Sequence, residues 1–262
     1  MSRMRQRATP EASLAIRSLA LRLPRGHCIG SHSHAWPQLI YATAGVMTVR
    51  ASGGTWVVPP QRAVWVPAGS RHEIEITGRV AMRTLYLRPG IAAGLPRRCF
   101  VVNVSPLLRE LVLHIVALGM LDEANPEHAR LVGVVVDQIT RTDAAPLELR
   151  LPVDPRARRI ADRICASPAR AADGSDSLCA LAQGSGASRR TLERIFVEQT
   201  GMSFGRWRQQ VRLLHALRAL ADGSTVTQAG LDVGYESTSA FIAMFKRVLG
   251  TTPGRYYARV QE

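Results

Sequence analysis

Two copies of one pattern lie 49 residues apart near the C-terminus, and nothing else in the chain restricts its fold as much. In LERIFVEQTGMSFGRW and FIAMFKRVLGTTPGRY the repeat aligns Leu192 with Phe241, Phe196 with Phe245, Gly201 with Gly250, Gly205 with Gly254, Arg206 with Arg255 and Trp207 with Tyr256. A duplication of this kind sets the unit of folding before composition is considered. Ahead of each copy stand a small residue, three others and a glycine, then a Ser-containing turn: Ala182 to Gly186 before SRRTL, and Gly230 to Gly234 before YESTSAF. The small residue lets two helices approach and the glycine absorbs a sharp turn, which is the outline of a helix-turn-helix. The spacing predicts two DNA-reading units in tandem.

Length and charge agree with that reading. At 262 residues the chain has room for two domains, each with its own core. A net charge of +14 suits a polyanionic partner. Charge alone is weak ground, because 33 of the 34 basic residues are Arg, a bias that a GC-rich coding sequence also produces. The 107 residues from Arg156 onward hold 16 basic and nine acidic side chains, so half of the net charge lies in the repeat-bearing part.

Cys28, Cys99, Cys165 and Cys179 are far apart and include no C-x-x-C pair, which predicts a reducing, cytoplasmic setting without disulfides. Cys28 lies near a group of histidines but reads as a small hydrophobe rather than a ligand or redox sensor. Residues 1–19 are Arg-rich at the start, have no continuous apolar stretch, and read as a loose tail. No apolar run approaches the ~18 residues a membrane span requires, so no membrane partner is expected.

Between about residues 20 and 90 the runs LIYATAGVMTVRA, GTWVVPP, AVWVPAG and VAMRTLYLRP are β-branched or aromatic and separated by Gly and Pro turns, the pattern of a sandwich or small barrel. From Ser105 the period becomes helical. Leu108, Leu111, Ile115 and Leu118 form one stripe and HARLVGVVVDQI a second apolar helix, together a candidate dimer face. Pro and polar residues interrupt all periodicity over Arg141 to Pro155, which predicts a linker at 143–155. Asp154-Pro155 then signals a helix start, and the chain reads helical to Tyr257.

In the first repeat, Leu192, Ile195, Phe196 and Gln199 share one helix face and Arg190, Glu193, Arg194 and Val197 the opposite one. Arg suits the guanine O6/N7 edge or a phosphate, and Glu accepts from the cytosine amine. In isolation such a face is an ordinary solvated surface; within a tandem repeat it is a reading face. In the second copy Phe241, Met244, Phe245 and Val248 form the inward stripe, leaving Ser239, Ile242, Ala243 and Lys246 outward for thymine methyls, base edges and phosphates. FGRWRQQVRLLHALRALA between the copies is a spacer helix of roughly 27 Å. Trp207, Val211, Leu214 and Leu217 make its core stripe, and His215 reads as a packing residue. Thr225 to Gln228 fits a capping box.

The stretch from SLCALAQGSG to TTPGRYY, about 80 residues containing VGYESTSAFIAMFKRVLGTTPGRYY, resembles the DNA-binding domain of AraC/XylS-type bacterial transcription regulators. Gly230 stands where that family has Ala, which keeps the small size at some loss of helix propensity. By position, the resemblance implies DNA contacts at Arg190, Glu193 and Arg194, and at Thr238, Ser239, Ile242 and Ala243. The first half resembles the cupin-type arm of these regulators. Gly26-x5-His32-x-His34-x3-Gln38-x6-Gly45 has the spacing of the first cupin motif and Pro67-x-Gly69-x-x-His72 resembles the second. Gln38 replaces the usual Glu, and Ile76 stands where the later Asn belongs. HSHAWPQLIYATAGVMTV and GGTWVVPPQRAVWVPAG resemble a subgroup that includes regulators of drug-efflux genes, which implies an efflux or metabolic gene as target.

The expectation is an α+β chain of two domains: a cupin-like β-barrel with following helices at 20–142, and an all-α domain with two helix-turn-helix units at 156–262. His32, His34, Gln38 and His72 are the expected effector site. The same four residues are a candidate divalent-metal site, with a hydrogen-bonded histidine cluster as the plain alternative. Expected partners are operator DNA, a small-molecule effector, RNA polymerase and a second copy of the chain. The competing reading is a metal-dependent cupin enzyme tethered to DNA; Gln38 in place of a carboxylate and the lack of a nucleophile-base motif oppose it.

Overall fold

The computed structural model describes residues 14–51, 54–141, 147–168 and 178–258; residues 1–13 of the tail expected at 1–19 and linker residues 143–146 lie outside them. Seven strands come first: β1 (Leu14–Leu23), β2 (Cys28–His32), β3 (Gln38–Ala51), β4 (Gly54–Val58), β5 (Arg62–Val66), β6 (His72–Leu87) and β7 (Phe100–Asn103). Then follow α1 (Pro106–Leu118), β8 (Met120–Asp122), α2 (Pro126–Thr140) and β9 (Glu148–Leu149). β1 begins inside the segment expected as tail, because Leu14, Ala15 and Ile16 are core residues.

The long strands β3 and β6 pair antiparallel from Gln38↔Tyr86 to Ala51↔His72 and form the spine of a single cupin-like sheet. β5 and β4 share the other edge of β3, while β1 and β2 share the other edge of β6. The spine bends where its register slips, between Ala42 and Val46. Gly45 occupies that bulge at φ +79°, and a Cβ there would meet the Arg79 carbonyl oxygen at 2.3 Å, so only glycine fits.

α1 and α2 start at Ser105 and Asn125 caps followed by Pro and cover one part of the sheet. Leu108, Val112 and Ile115 of α1 join Tyr41, Trp65 and Leu85 in that core. The stripe expected to face a partner therefore divides: Leu108 and Ile115 are buried within the protomer, Leu111 is half-buried and Leu118 is exposed, as is Leu107 outside the stripe.

The second half comprises α3 (Pro155–Ala166), α4 (Leu178–Ala182), α5 (Arg189–Thr200), α6 (Phe204–Ala221), α7 (Val226–Asp232), α8 (Thr238–Leu249) and α9 (Pro253–Ala258). Ser188, Ser203, Thr225 and Ser237 cap α5 to α8, each accepting from the backbone N–H three residues on. The repeat glycines Gly201 and Gly250 end the equivalent helices α5 and α8 at φ +74° and +77°. The capping box at Thr225 is half formed, since the Gln228 amide donates to Asp232 instead of reaching back. Gln199 also departs from its expected inward place: it is exposed, and its Oε1 accepts from the backbone N–H groups of Val153 and Asp154. In α8 Leu249 is buried and Val248 only half-buried.

The described part of the linker is structured and tied to both halves. β9 pairs with β4, and the Trp207 indole N–H donates to the Arg150 carbonyl at 2.8 Å. One continuous apolar cluster runs from Val49, Ile74 and Ile76 of the sheet to Leu213, Leu214 and Leu217 of α6. Gly78 lets α6 come this close, because a Cβ there would lie 2.9 Å from the Ala221 carbonyl oxygen. No helix of the described residues is long and apolar enough to cross a membrane.

Candidate nucleic-acid interface and effector site

α5 is held by Leu192, Ile195 and Phe196, all buried, so its opposite face is free of packing duties. Arg190, Glu193, Arg194 and Val197 are exposed there, as the helical period requires. Arg194 pairs with Glu198 at 2.9 Å, and Arg189 with Glu193 at the same distance. Both are solvent-exposed i,i+4 pairs worth about 0.3–0.5 kcal/mol, small enough for a stronger acceptor to displace. Arg190 forms no ion pair among the described residues. Arg189 was missed by sequence reasoning; its exposure and its bond to Glu193 place it on the same surface.

α8 is anchored by Phe241, Met244, Phe245 and Leu249. Ser239, Ala243 and Lys246 are exposed, and Thr238 and Ile242 half-buried; the Thr238 hydroxyl donates to Thr227 of α7 at 3.3 Å. The outer face of α5 is thus charged, and that of α8 carries mostly small side chains together with Lys246.

The histidines come together from two strands and a loop. β2 sets His32 opposite His72 of β6, and His34 follows β2 by two residues. Ring centroids are 5.0 Å apart for His32 and His34, 4.3 Å for His32 and His72, and 4.8 Å for His34 and His72. Nδ1 of His32 donates to the Gly30 carbonyl at 2.7 Å and Nδ1 of His72 to the Ser70 carbonyl at 2.9 Å. Carbonyl acceptors fix the Nδ1–H tautomer and leave each Nε2 lone pair available. Nε2 of His34 and of His72 are buried without a hydrogen-bond partner.

Burial lowers the pKa of His34, helped by His32, and burial is also the main cause lowering His72, partly offset by its bond to Ser70. Neutral imidazoles are the form that binds a metal or accepts from a ligand. One ring nitrogen from each histidine lies within 4.8 Å of the others, so the set fits a divalent metal.

Gln38 enters the site indirectly. Its amide donates to Thr84 at 2.8 Å and to the Tyr86 hydroxyl at 3.0 Å, leaving Oε1 buried and unpartnered. Tyr86 in turn packs edge-on against His34 at 5.1 Å. Neither Thr84 nor Tyr86 was singled out from sequence; polar residues recur along β6, and nothing local sets these two apart. Cys28 is exposed opposite Glu75 and stands apart from the histidine group.

A sheet domain that brings three histidines together, followed by paired helix-turn-helix units, defines a ligand-responsive DNA-binding protein. Family comparison agrees: an AraC-like ligand binding domain matches residues 15–166 and a helix-turn-helix domain residues 181–259. The chain belongs to the AraC family of transcription regulators, with a helix-turn-helix DNA-binding domain and a cupin-like effector-binding domain. It is 37% identical over 232 residues to the HTH-type transcriptional regulator NimR of Escherichia coli K12, covering 87% of this chain and 82% of NimR. The HTH-type transcriptional regulator RipA of Corynebacterium diphtheriae is 36% identical over 107 residues, 41% of this chain and 31% of RipA. The crystal structure of ToxT from Vibrio cholerae aligns over 95% of this chain and 100% of its own at 11% identity, with a TM-score of 0.39.

Proposed function

We propose that this regulator reads duplex operator DNA with α5 and α8 and changes its grip when an effector occupies the pocket of His32, His34, His72 and Gln38. The observation that carries the reading is the set of buried, unpartnered acceptors at that pocket: Nε2 of His34, Nε2 of His72 and Oε1 of Gln38. Buried polar atoms left without partners are costly unless a ligand satisfies them. On the DNA side the contacts are Arg190, Glu193, Arg194, Thr238, Ser239, Ile242, Ala243 and Lys246. The protein works in the cytoplasm as a homodimer and not as an enzyme, with RNA polymerase as a further partner at the promoter.

The three histidines would hold a divalent metal through Nε2, and Gln38 would act on them through Tyr86, which packs on His34. When bound, such an ion supplies a Lewis-acidic point for an oxygen or nitrogen of the effector. The protein's own part is to keep the imidazoles neutral and oriented through Gly30 and Ser70.

The test is His34→Ala, with operator affinity and promoter response measured together. Affinity without effector should be nearly unchanged and the response lost, because a ligand shifts a protein only by binding two states differently. Elemental analysis of untagged protein distinguishes the two forms of the site: stoichiometric metal that disappears in His32→Ala means metal ligation, whereas lost response without metal means direct contact with the effector. A fully responsive His34→Ala protein contradicts both.

A further inference from the structure

The spacer helix α6 carries Arg208 and Arg212 one turn apart on the side of the two helix-turn-helix units. Arg208 lines a cavity with Arg189, Glu193 and Val197 of α5. One helical turn later the Arg212 guanidinium lies 5.8 Å over the ring of Tyr235, in the turn of the second helix-turn-helix. Burial raises the Tyr235 pKa, and Arg212 and then Arg247 of α8 act against that rise. A row of cations with one aromatic thus runs along α6 from the first unit to the second.

Arg212 is poorly compensated. No carboxylate pairs with it among the described residues, and its Nε is buried without a hydrogen-bond partner. Its ordinary pKa is lowered first by burial and then by Arg208, with only the Tyr235 phenol acting the other way. Like charges one turn apart repel, and a half-buried guanidinium has lost part of its hydration. An anion placed between Arg208 and Arg212 removes both costs. A planar guanidinium fork matches phosphate oxygens in geometry as well as charge, and the Tyr235 ring beneath it restricts its position.

Resting on the reading that α5 and α8 enter adjacent major-groove segments, we propose that Arg208, Arg212 and Tyr235 form a binding site for a backbone phosphate of duplex DNA, set in the seam between the two units and outside both reading helices. The stretch of duplex between two such segments lies against the spacer helix, so its phosphates meet this row. Contacts of this kind fix register and orientation and carry no base preference.

The test uses the full chain, a selected operator duplex and a random duplex of equal length, with affinity followed across a salt series. Arg212→Met should weaken both duplexes by the same factor, on the order of tenfold. It should also lower the log-log salt slope by about 1. Arg212→Lys should keep the slope. Ethylation of phosphates between the two protected groove segments should interfere with the native protein and lose its effect on Arg212→Met. An unchanged slope in Arg212→Met overturns the site while Arg194→Ala still relaxes base preference; if Arg194→Ala also changes nothing, the reading of α5 has failed instead. Should Arg212→Met not fold by circular dichroism, Arg208→Gln must lower the slope by about 1, and an unchanged slope there is equally fatal.

Discussion

The Arg218 side chain of α6 donates from Nε to the hydroxyl of Thr48 at 3.2 Å, joining the spacer helix of the DNA-reading half to the central strand of the effector half. Burial lowers the Arg218 pKa, and Glu75 nearby offsets part of that effect. Thr48 pairs in register with Glu75, three residues beyond His72 on β6. A short length of one strand therefore separates the histidine site from the helix that spaces the two DNA readers.

Thr48→Val keeps the side-chain shape and removes the acceptor, leaving the Arg218 guanidinium in place without it. Urea unfolding should show a loss of about 1.5–3 kcal/mol, as for a hydrogen bond to a charged group. Effector response should fall while basal operator binding persists. A midpoint and slope identical to the native protein would mean that the bond contributes nothing.

Arg194→Ala removes an exposed pair with Glu198, so folding stability should stay within about 0.5 kcal/mol. Operator binding should weaken by ~1–3 kcal/mol with relaxed preference at one base pair. Binding-site selection from a random pool measures both, and an unaltered selected sequence would remove Arg194 from the reading face.

Leu107 and Leu118 are 52% and 46% exposed at opposite ends of α1, about three turns apart on one helix face, and Met120 in β8 just beyond is 55% exposed. If the homodimer forms there, Leu107→Glu with Leu118→Glu should sediment as a folded monomer, since charge buried in an interface is costly. Leu108→Glu should instead unfold the sheet domain, because Leu108 is part of the protomer's own core. A dimeric double variant places the interface elsewhere.

His215 is a sensitive point for acid. Burial, with Arg218 close by, pulls its pKa down to about 4, against a smaller opposing effect from a backbone bond with Cys165. The folded state thus binds this proton less readily than the unfolded chain. Its contribution is full above the unfolded value near 6.5 and is lost as pH falls toward 4. The loss is on the order of 3 kcal/mol. Chemical denaturation at stepped pH should show this decline in the native protein and a flatter profile in His215→Leu; equal profiles would exclude His215 as the cause.

The parts legible in the sequence were those whose geometry tolerates few residue types. Gly201 and Gly250 mark matching left-handed helix ends, and Leu192, Ile195 and Phe196 mark the buried side of α5, so its exposed face followed by subtraction. The histidine trio was legible because two histidines two residues apart stay close, although His34 lies in the loop just past β2 and not on the strand, and His72 closes the set from a second motif. Long-range polar pairing was not legible. Gln199 fits the inward period of α5 yet turns to the chain 45 residues earlier, and nothing near Thr48 in sequence announces Arg218. The direction of the α1 stripe failed for a related reason: periodicity shows that Leu108 and Ile115 are on one side, but not whether sheet or partner covers them. Linker residues read as irregular because Pro and polar residues conceal the pairing of Glu148 and Leu149 with β4.

Hydroxyl-radical and base-methylation footprinting of the full chain on a selected operator tests the central claim that one protomer reads DNA with both α5 and α8. Each protomer should protect two adjacent major-groove segments on one face of the duplex, about 34 Å apart. Arg194→Ala should change base preference in one segment only, and Ala243→Glu, which puts a carboxylate against the duplex, should abolish protection of the other. Protection confined to a single segment per protomer, or unaltered patterns in both variants, would contradict it.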